Sequence, residues 1–169
     1  MSPVANVLVV GAVATATITA AVIDLRTRRV PNVLTAGIAL VGVGMAAAGV
    51  GRIGLPASLA GCLIGLGLML PGHLLGATGG GDVKLLAAVG TLLGPAATLR
   101  AFVATAIAGG LIAIVVAVRR GRLTATLAGT GMLLKSVGSD ITEIRDAKHD
   151  NRFAYAPAIA VGAIVAALI

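Results

Sequence analysis

Charged residues are spaced along this chain so that six long stretches contain none: 1–23, 33–51, 53–81, 85–99, 101–118 and 153–169. Uncharged apolar stretches of this length predict helices that cross a bilayer, whose hydrocarbon core takes about 20 helical residues. The fourth is the shortest and runs into Gly94-Pro95, so it is expected to tilt, to sit recessed or to continue past Arg100.

Composition supports that reading. Of 169 residues, 58% are hydrophobic and 11% charged, with a mean hydropathy of +1.06; an average soluble domain carries about 25% charged residues. The predicted class is therefore all-α: a polytopic membrane protein with six transmembrane helices in one bundle, forming a single domain over 1–169.

The charges that remain set an orientation. Eleven of the thirteen lysines and arginines fall in the connections on one side, at Arg26, Arg28, Arg29, Lys84 and in the stretch 119–152, whereas Arg52 and Arg100 lie on the other. By the positive-inside rule the richer side is cytoplasmic, which places both termini on the outer face. The first basic cluster follows the first apolar run, the reverse of a cleaved secretory signal. The net charge of +7 does not point to nucleic acid, because one Tyr and two Phe offer little for base stacking and no polar domain carries a binding face.

The stretch 119–152 is the one sizeable polar segment. Asp140, Glu143, Asp146 and Asp150 recur there at helical spacing among Arg145, Lys148 and Arg152, as on an amphipathic helix lying in the cytoplasm or at the interface. Cys62 is the single cysteine, so neither a disulfide nor a paired-cysteine zinc site can form within this sequence, and it is expected to pack as a small apolar residue. Gly61 and Gly65 have a small-xxx-small spacing suited to close helix approach. His73 and His149 stand apart without a ligand constellation, so no metal is expected.

Only two acids precede the polar stretch, Asp24 at the end of the first run and Asp82 behind Gly79-Gly80-Gly81. A carboxylate against hydrocarbon is costly and calls for a reason. Each has a bland one: Asp24 as a helix-end residue paired with Arg26 or Arg28, and Asp82 as an N-terminal helix cap. The six-run topology, however, brings both to the cytoplasmic side. If the first and fourth helices are neighbours, the carboxylates can share one proton, one ionised and the other protonated. That state suits hydrolysis: the carboxylate takes a proton from water as it attacks a carbonyl, and the carboxylic acid polarises that carbonyl. Which of the two is the base stays open.

The glycine triplet is expected to be unwound or tightly turned, allowing close backbone approach. Gly76 to Gly81 has the glycine spacing of a phosphate loop, but Asp82 stands where that motif requires Lys and repels phosphate. Lys84 reads either as a snorkelling interface anchor or as a charge near the aspartates. Pro31 and Pro157 fit the first turns of the helices that follow them.

Taken in order, the segments Asp24-Leu25-Arg26-Thr27-Arg28-Arg29-Val30-Pro31-Asn32, Gly79-Gly80-Gly81-Asp82-Val83-Lys84-Leu85 and Tyr155-Ala156-Pro157-Ala158-Ile159 resemble the type IV prepilin peptidase family of membrane aspartic endopeptidases. The resemblance implies that Asp24 and Asp82 are a catalytic dyad, that Gly79, Gly81, Lys84 and Asn32 support the site, and that no cofactor is needed. It implies as partners the lipid bilayer and a prepilin or pilin-like substrate, whose leader is cut on the cytoplasmic side of the cell membrane. Longer members carry a cysteine-paired zinc region and N-methylate the new terminus. Without that region, this sequence is closer to the short, peptidase-only members of tight-adherence (Flp) pili. Two rivals stand beside this reading: a presenilin-like intramembrane protease, faintly echoed by Pro157-Ala158-Ile159, and a non-enzymatic transporter or pilus-assembly component using the aspartates as ion or proton sites.

Overall fold

The computed structural model describes residues 3–75, 78–119 and 155–169, and every element among them is helical. The order is α1 (Pro3–Thr27), α2 (Asn32–Ala47), α3 (Leu55–Leu74), α4 (Gly80–Leu93), α5 (Pro95–Arg119) and α6 (Ala156–Leu168). By contacts the chain divides into one unit of Met1–Gly109 with Ala154–Ile169 and another of Gly110–Phe153. Of the second unit only the continuation of α5 to Arg119 is described, so the expected amphipathic segment beyond Arg119, with Asp140, Glu143, Asp146 and Asp150, lies outside the described residues.

Helices α1, α3 and Pro95–Val116 of α5 have the length and apolarity of a bilayer crossing, whereas α2 and α6 are shorter apolar helices. Their outward faces carry large hydrocarbon side chains, among them Val7, Ile18, Leu63, Leu70, Val103 and Ile107. Exposed apolar surface on this scale, on helices long enough to cross a bilayer, suits lipid and points to a membrane protein.

Helix α4 is different. Fourteen residues rise only about 21 Å at 1.5 Å each, well short of a hydrocarbon core of about 30 Å. It packs against α1, α2, α3 and α6, and from Val83 to Leu93 every residue except Lys84 is buried. A helix apolar on all sides belongs in the centre of a bundle. Glycines allow its neighbours to reach it. A Cβ on Gly61 would strike the Gly90 carbonyl, one on Gly65 would lie 2.7 Å from the Leu86 carbonyl oxygen, and one on Gly42 would strike the Thr91 hydroxyl. The Gly61/Gly65 spacing thus serves packing, and Ser58 adds a buried hydrogen bond to the Thr91 carbonyl at 2.8 Å. Cys62, between them, is a free, half-buried thiol.

The expected fourth span, 85–99, is corrected by the chain's own punctuation. Gly94 adopts φ +77, a left-handed conformation that glycine tolerates, and Pro95 lacks the N–H that would continue α4. The helix therefore ends at Leu93 and a new one opens at Pro95. Arg100, assigned above to a connection on the outer side, lies inside α5.

Candidate active site

The first segment of interest is the exit from α1. Asp24 sits in its last turn and is 5% exposed, while Arg26, Arg28 and Arg29 are exposed. The turn closes firmly: Arg28 takes φ 51, its N–H reaches the Asp24 carbonyl at 2.7 Å, and the Thr27 hydroxyl lies 2.9 Å from the Ile23 carbonyl and 3.0 Å from that of Arg29. Such a left-handed residue stops a helix. Pro31 then takes the extended N-cap position, one residue before the first turn of α2 where it was expected.

Among the described residues the Asp24 carboxylate pairs with no arginine. Its Oδ2 accepts the main-chain N–H of Ala156 at 3.2 Å, a contact across 132 residues. Ala156 is the first residue of α6, and a helix offers its unpaired N–H groups there. The third sequence segment that carries the resemblance is thereby brought to the first.

Asp82 is held locally. It is 7% exposed and occupies the third position of α4, where its Oδ2 accepts the Gly79 N–H at 3.1 Å and its own N–H donates to the Gly79 carbonyl at 3.1 Å. This is the reciprocal half of a capping box; glycine, with no side chain, cannot supply the other half. The glycine triplet is less unwound than expected. Only Gly79 lies outside the helix, as its extended N-cap, and none of the three has positive φ. First-turn glycines cost little because those N–H groups are unpaired in any helix. What they provide is clearance: a Cβ on Gly81 would lie 3.1 Å from Cβ of Val30, and one on Gly79 3.0 Å from the Asp82 carboxylate.

The two carboxylates share one electrostatic environment. Helices α1 and α4 are in contact, and burial, reinforced by the Asp24 charge and opposed by the Gly79 hydrogen bond, pushes the Asp82 carboxyl up to about 6. Tyr155, which precedes α6, belongs to the same neighbourhood: burial and then the Asp82 charge raise its phenol. The chain's single tyrosine, two residues before Pro157, is the signal that sequence reasoning quoted without assigning it to the site.

Lys84 and Asn32 also come together, with Lys84 Nζ donating to Asn32 Oδ1 at 3.0 Å on the exposed rim. They tie the start of α2 to the second turn of α4. His73 Nδ1 lies 3.1 Å from the Thr78 carbonyl, beside the glycine triplet. Among the described residues no group of three His, Cys, Asp or Glu side chains could hold a metal ion.

A helical membrane protein with two buried carboxylates on contacting helices has the makings of a membrane-embedded acid–base site. The model of the type IV leader peptidase family matches residues 11–114, and the chain belongs to that family. The match spans both aspartates and ends before α6. Among curated proteins and among solved structures, no match was found.

Proposed function

We propose that this protein is an aspartic-type endopeptidase, with Asp24 and Asp82 as its catalytic dyad, that removes the leader from type IV prepilins or pilin-like proteins. The observation that carries the reading is the placement of two buried carboxylates, remote in sequence, on contacting helices within the stretch that matches the leader peptidase family; burial first, and then the Asp24 charge, pushes the Asp82 carboxyl up to about 6. Like charges in one low-dielectric site cannot both ionise cheaply, so the pair retains one proton under conditions where isolated carboxylates have none. In the singly protonated pair, the carboxylate accepts a proton from the attacking water and the carboxylic acid hydrogen-bonds the scissile carbonyl oxygen. The resulting tetrahedral intermediate collapses as a proton passes to the leaving nitrogen.

Gly79 and Gly81 set the approach of the Asp82 turn to Val30, and Asn32 and Lys84 brace its rim. Cleavage on the cytoplasmic face of the cell membrane is supported by the basic residues Arg26, Arg28, Arg29 and Lys84 near the two aspartates. Cleavage without N-methylation is supported by the single cysteine, which leaves this sequence no paired-cysteine zinc region. The test uses the full chain purified into lipid, with a pilin precursor retaining its leader as substrate. Cleavage by the wild type, and its loss in both Asp24→Asn and Asp82→Asn, is expected. Undiminished cleavage in both variants would refute the dyad.

A further inference from the structure

The contact between Asp24 and Ala156 requires α6 to stop at the right height, and three residues of α5 provide the seat. Ala101, Thr105 and Gly109 recur every four residues, as on one helical face, and all three are buried. Midway along α6, Gly162 fits against this face so closely that a Cβ there would strike the Thr105 hydroxyl and lie 2.5 Å from the Ala101 carbonyl oxygen. At the near end, Tyr155 fills the space that Gly109 leaves: a Cβ on Gly109 would lie 2.7 Å from ring atom Cε2 and 3.0 Å from the phenolic oxygen.

The ring is fastened to the helix start, because the Tyr155 carbonyl accepts the N–H groups of Ala158 at 3.0 Å and Ile159 at 3.2 Å. The N–H of Ala156, the residue directly after Tyr155, is the one on Asp24. Its 3.2 Å length is already at the long end of the usual range of about 2.7–3.2 Å. A small displacement of the α6 start therefore breaks the bond.

We infer that Tyr155 is a positioning residue: its ring, lodged against the bare backbone of Gly109, sets the register of α6 so that the Ala156 N–H holds the Asp24 carboxylate. The consequence for catalysis rests on Asp24 belonging to the dyad; the register lock itself does not. Gly109→Ala forces the ring from 2.7 Å to ordinary carbon–carbon separation, a displacement of about 1 Å. Misplacement of that size costs on the order of 10²-fold in rate when it reaches a catalytic group.

The experiment has two arms, both on the full chain in lipid. With a pilin precursor, Gly109→Ala and Tyr155→Ala are expected to lower kcat by about 10²-fold with KM within about twofold, and Tyr155→Phe, which keeps the ring, to restore most of the rate. The double variant Gly109→Ala/Tyr155→Ala is expected to be no worse than Tyr155→Ala, because the clash has lost its partner. The second arm needs no turnover: in the Asp82→Asn background, modification of Asp24 by a hydrophobic carbodiimide, followed by mass spectrometry, is expected to accelerate when Gly109→Ala is added.

Unchanged kcat in both Gly109→Ala and Tyr155→Ala together with unchanged labelling overturns the proposal. So does a Tyr155→Phe variant as impaired as Tyr155→Ala, which would assign the role to the hydroxyl instead of the ring. If Asp24→Asn proves fully active, the dyad fails, and the labelling arm still decides whether Tyr155 positions Asp24.

Discussion

The two buried aspartates are anchored in opposite ways. Asp82 is fixed by its own turn, through a hydrogen bond to a glycine three residues earlier, so its geometry is available as soon as the start of α4 forms. Asp24 is fixed by a residue 132 positions away, and its geometry exists only once α6 has packed against α1 and α5. The first half of the site is local and robust to distant change. The second half depends on the whole bundle, and damage to it need not lie anywhere near Asp24 in sequence.

The largest effect expected removes both kinds of anchoring at their targets. Asp24→Asn and Asp82→Asn are each predicted to lower kcat by about 10⁴-fold or more while helical content by circular dichroism is retained, since members of a cooperating set fail nearly as completely one at a time as together. A local lesion comes next. Gly81→Val drives a branched side chain into Val30, and overpacking of this kind costs about 1–3 kcal/mol; activity is expected to fall by roughly 10²-fold, with partial recovery when Val30→Ala relieves the contact.

Titration sharpens the comparison further. A carboxyl that sits near 3.9 in the unfolded chain and at about 6 in the fold is penalised for ionising only when folded. Its contribution to stability is complete below the unfolded value and is lost as pH rises through about 6. Asp82→Asn is accordingly predicted to match the wild type in thermal stability near pH 4 and to exceed it by about 2–3 kcal/mol at pH 8. Removing the Asp24 charge lowers the folded Asp82 carboxyl, so in the Asp24→Asn background the divergence is smaller and levels off at lower pH. For the active protein, kcat/KM is expected to decline as pH passes about 6, where the shared proton is lost.

The smallest effect belongs to the rim. Asn32→Ala removes one exposed hydrogen bond to Lys84, worth about 0.5–1.5 kcal/mol, and is expected to reduce cleavage by less than about tenfold. A loss as large as that of either aspartate would move Asn32 from a brace into the chemistry.

Much of this was legible from the pattern of charge. Six apolar runs anticipated the six described helices, and two isolated acids singled out a candidate site because carboxylates are so poorly accommodated among hydrocarbon. Hydropathy alone did not distinguish α4 from its neighbours, since burial in protein and burial in lipid call for the same side chains. Nor did it locate the corner at Gly94, because a run without charges does not register a left-handed glycine. Tyr155 and the Ala156 N–H escaped for a different reason. One acts through the shape of its ring against Gly109 and the other through its main chain, and neither leaves a residue-type signature at a recognisable spacing. The Pro-containing segment around them marked the place without stating its function.

The enclosure of α4 also bears on how the protein responds to its bilayer. Membranes differ in thickness, and a helix that faces lipid adjusts to the mismatch by tilting or by stretching and thinning the lipid around it. Helices α1, α3 and α5 present the apolar faces on which such forces act. Helix α4, wrapped by other helices from Val83 to Leu93 apart from Lys84, presents almost none. The depth of Asp82 is thus set by protein packing, and a change of lipid composition reaches it only by first moving the helices that surround it.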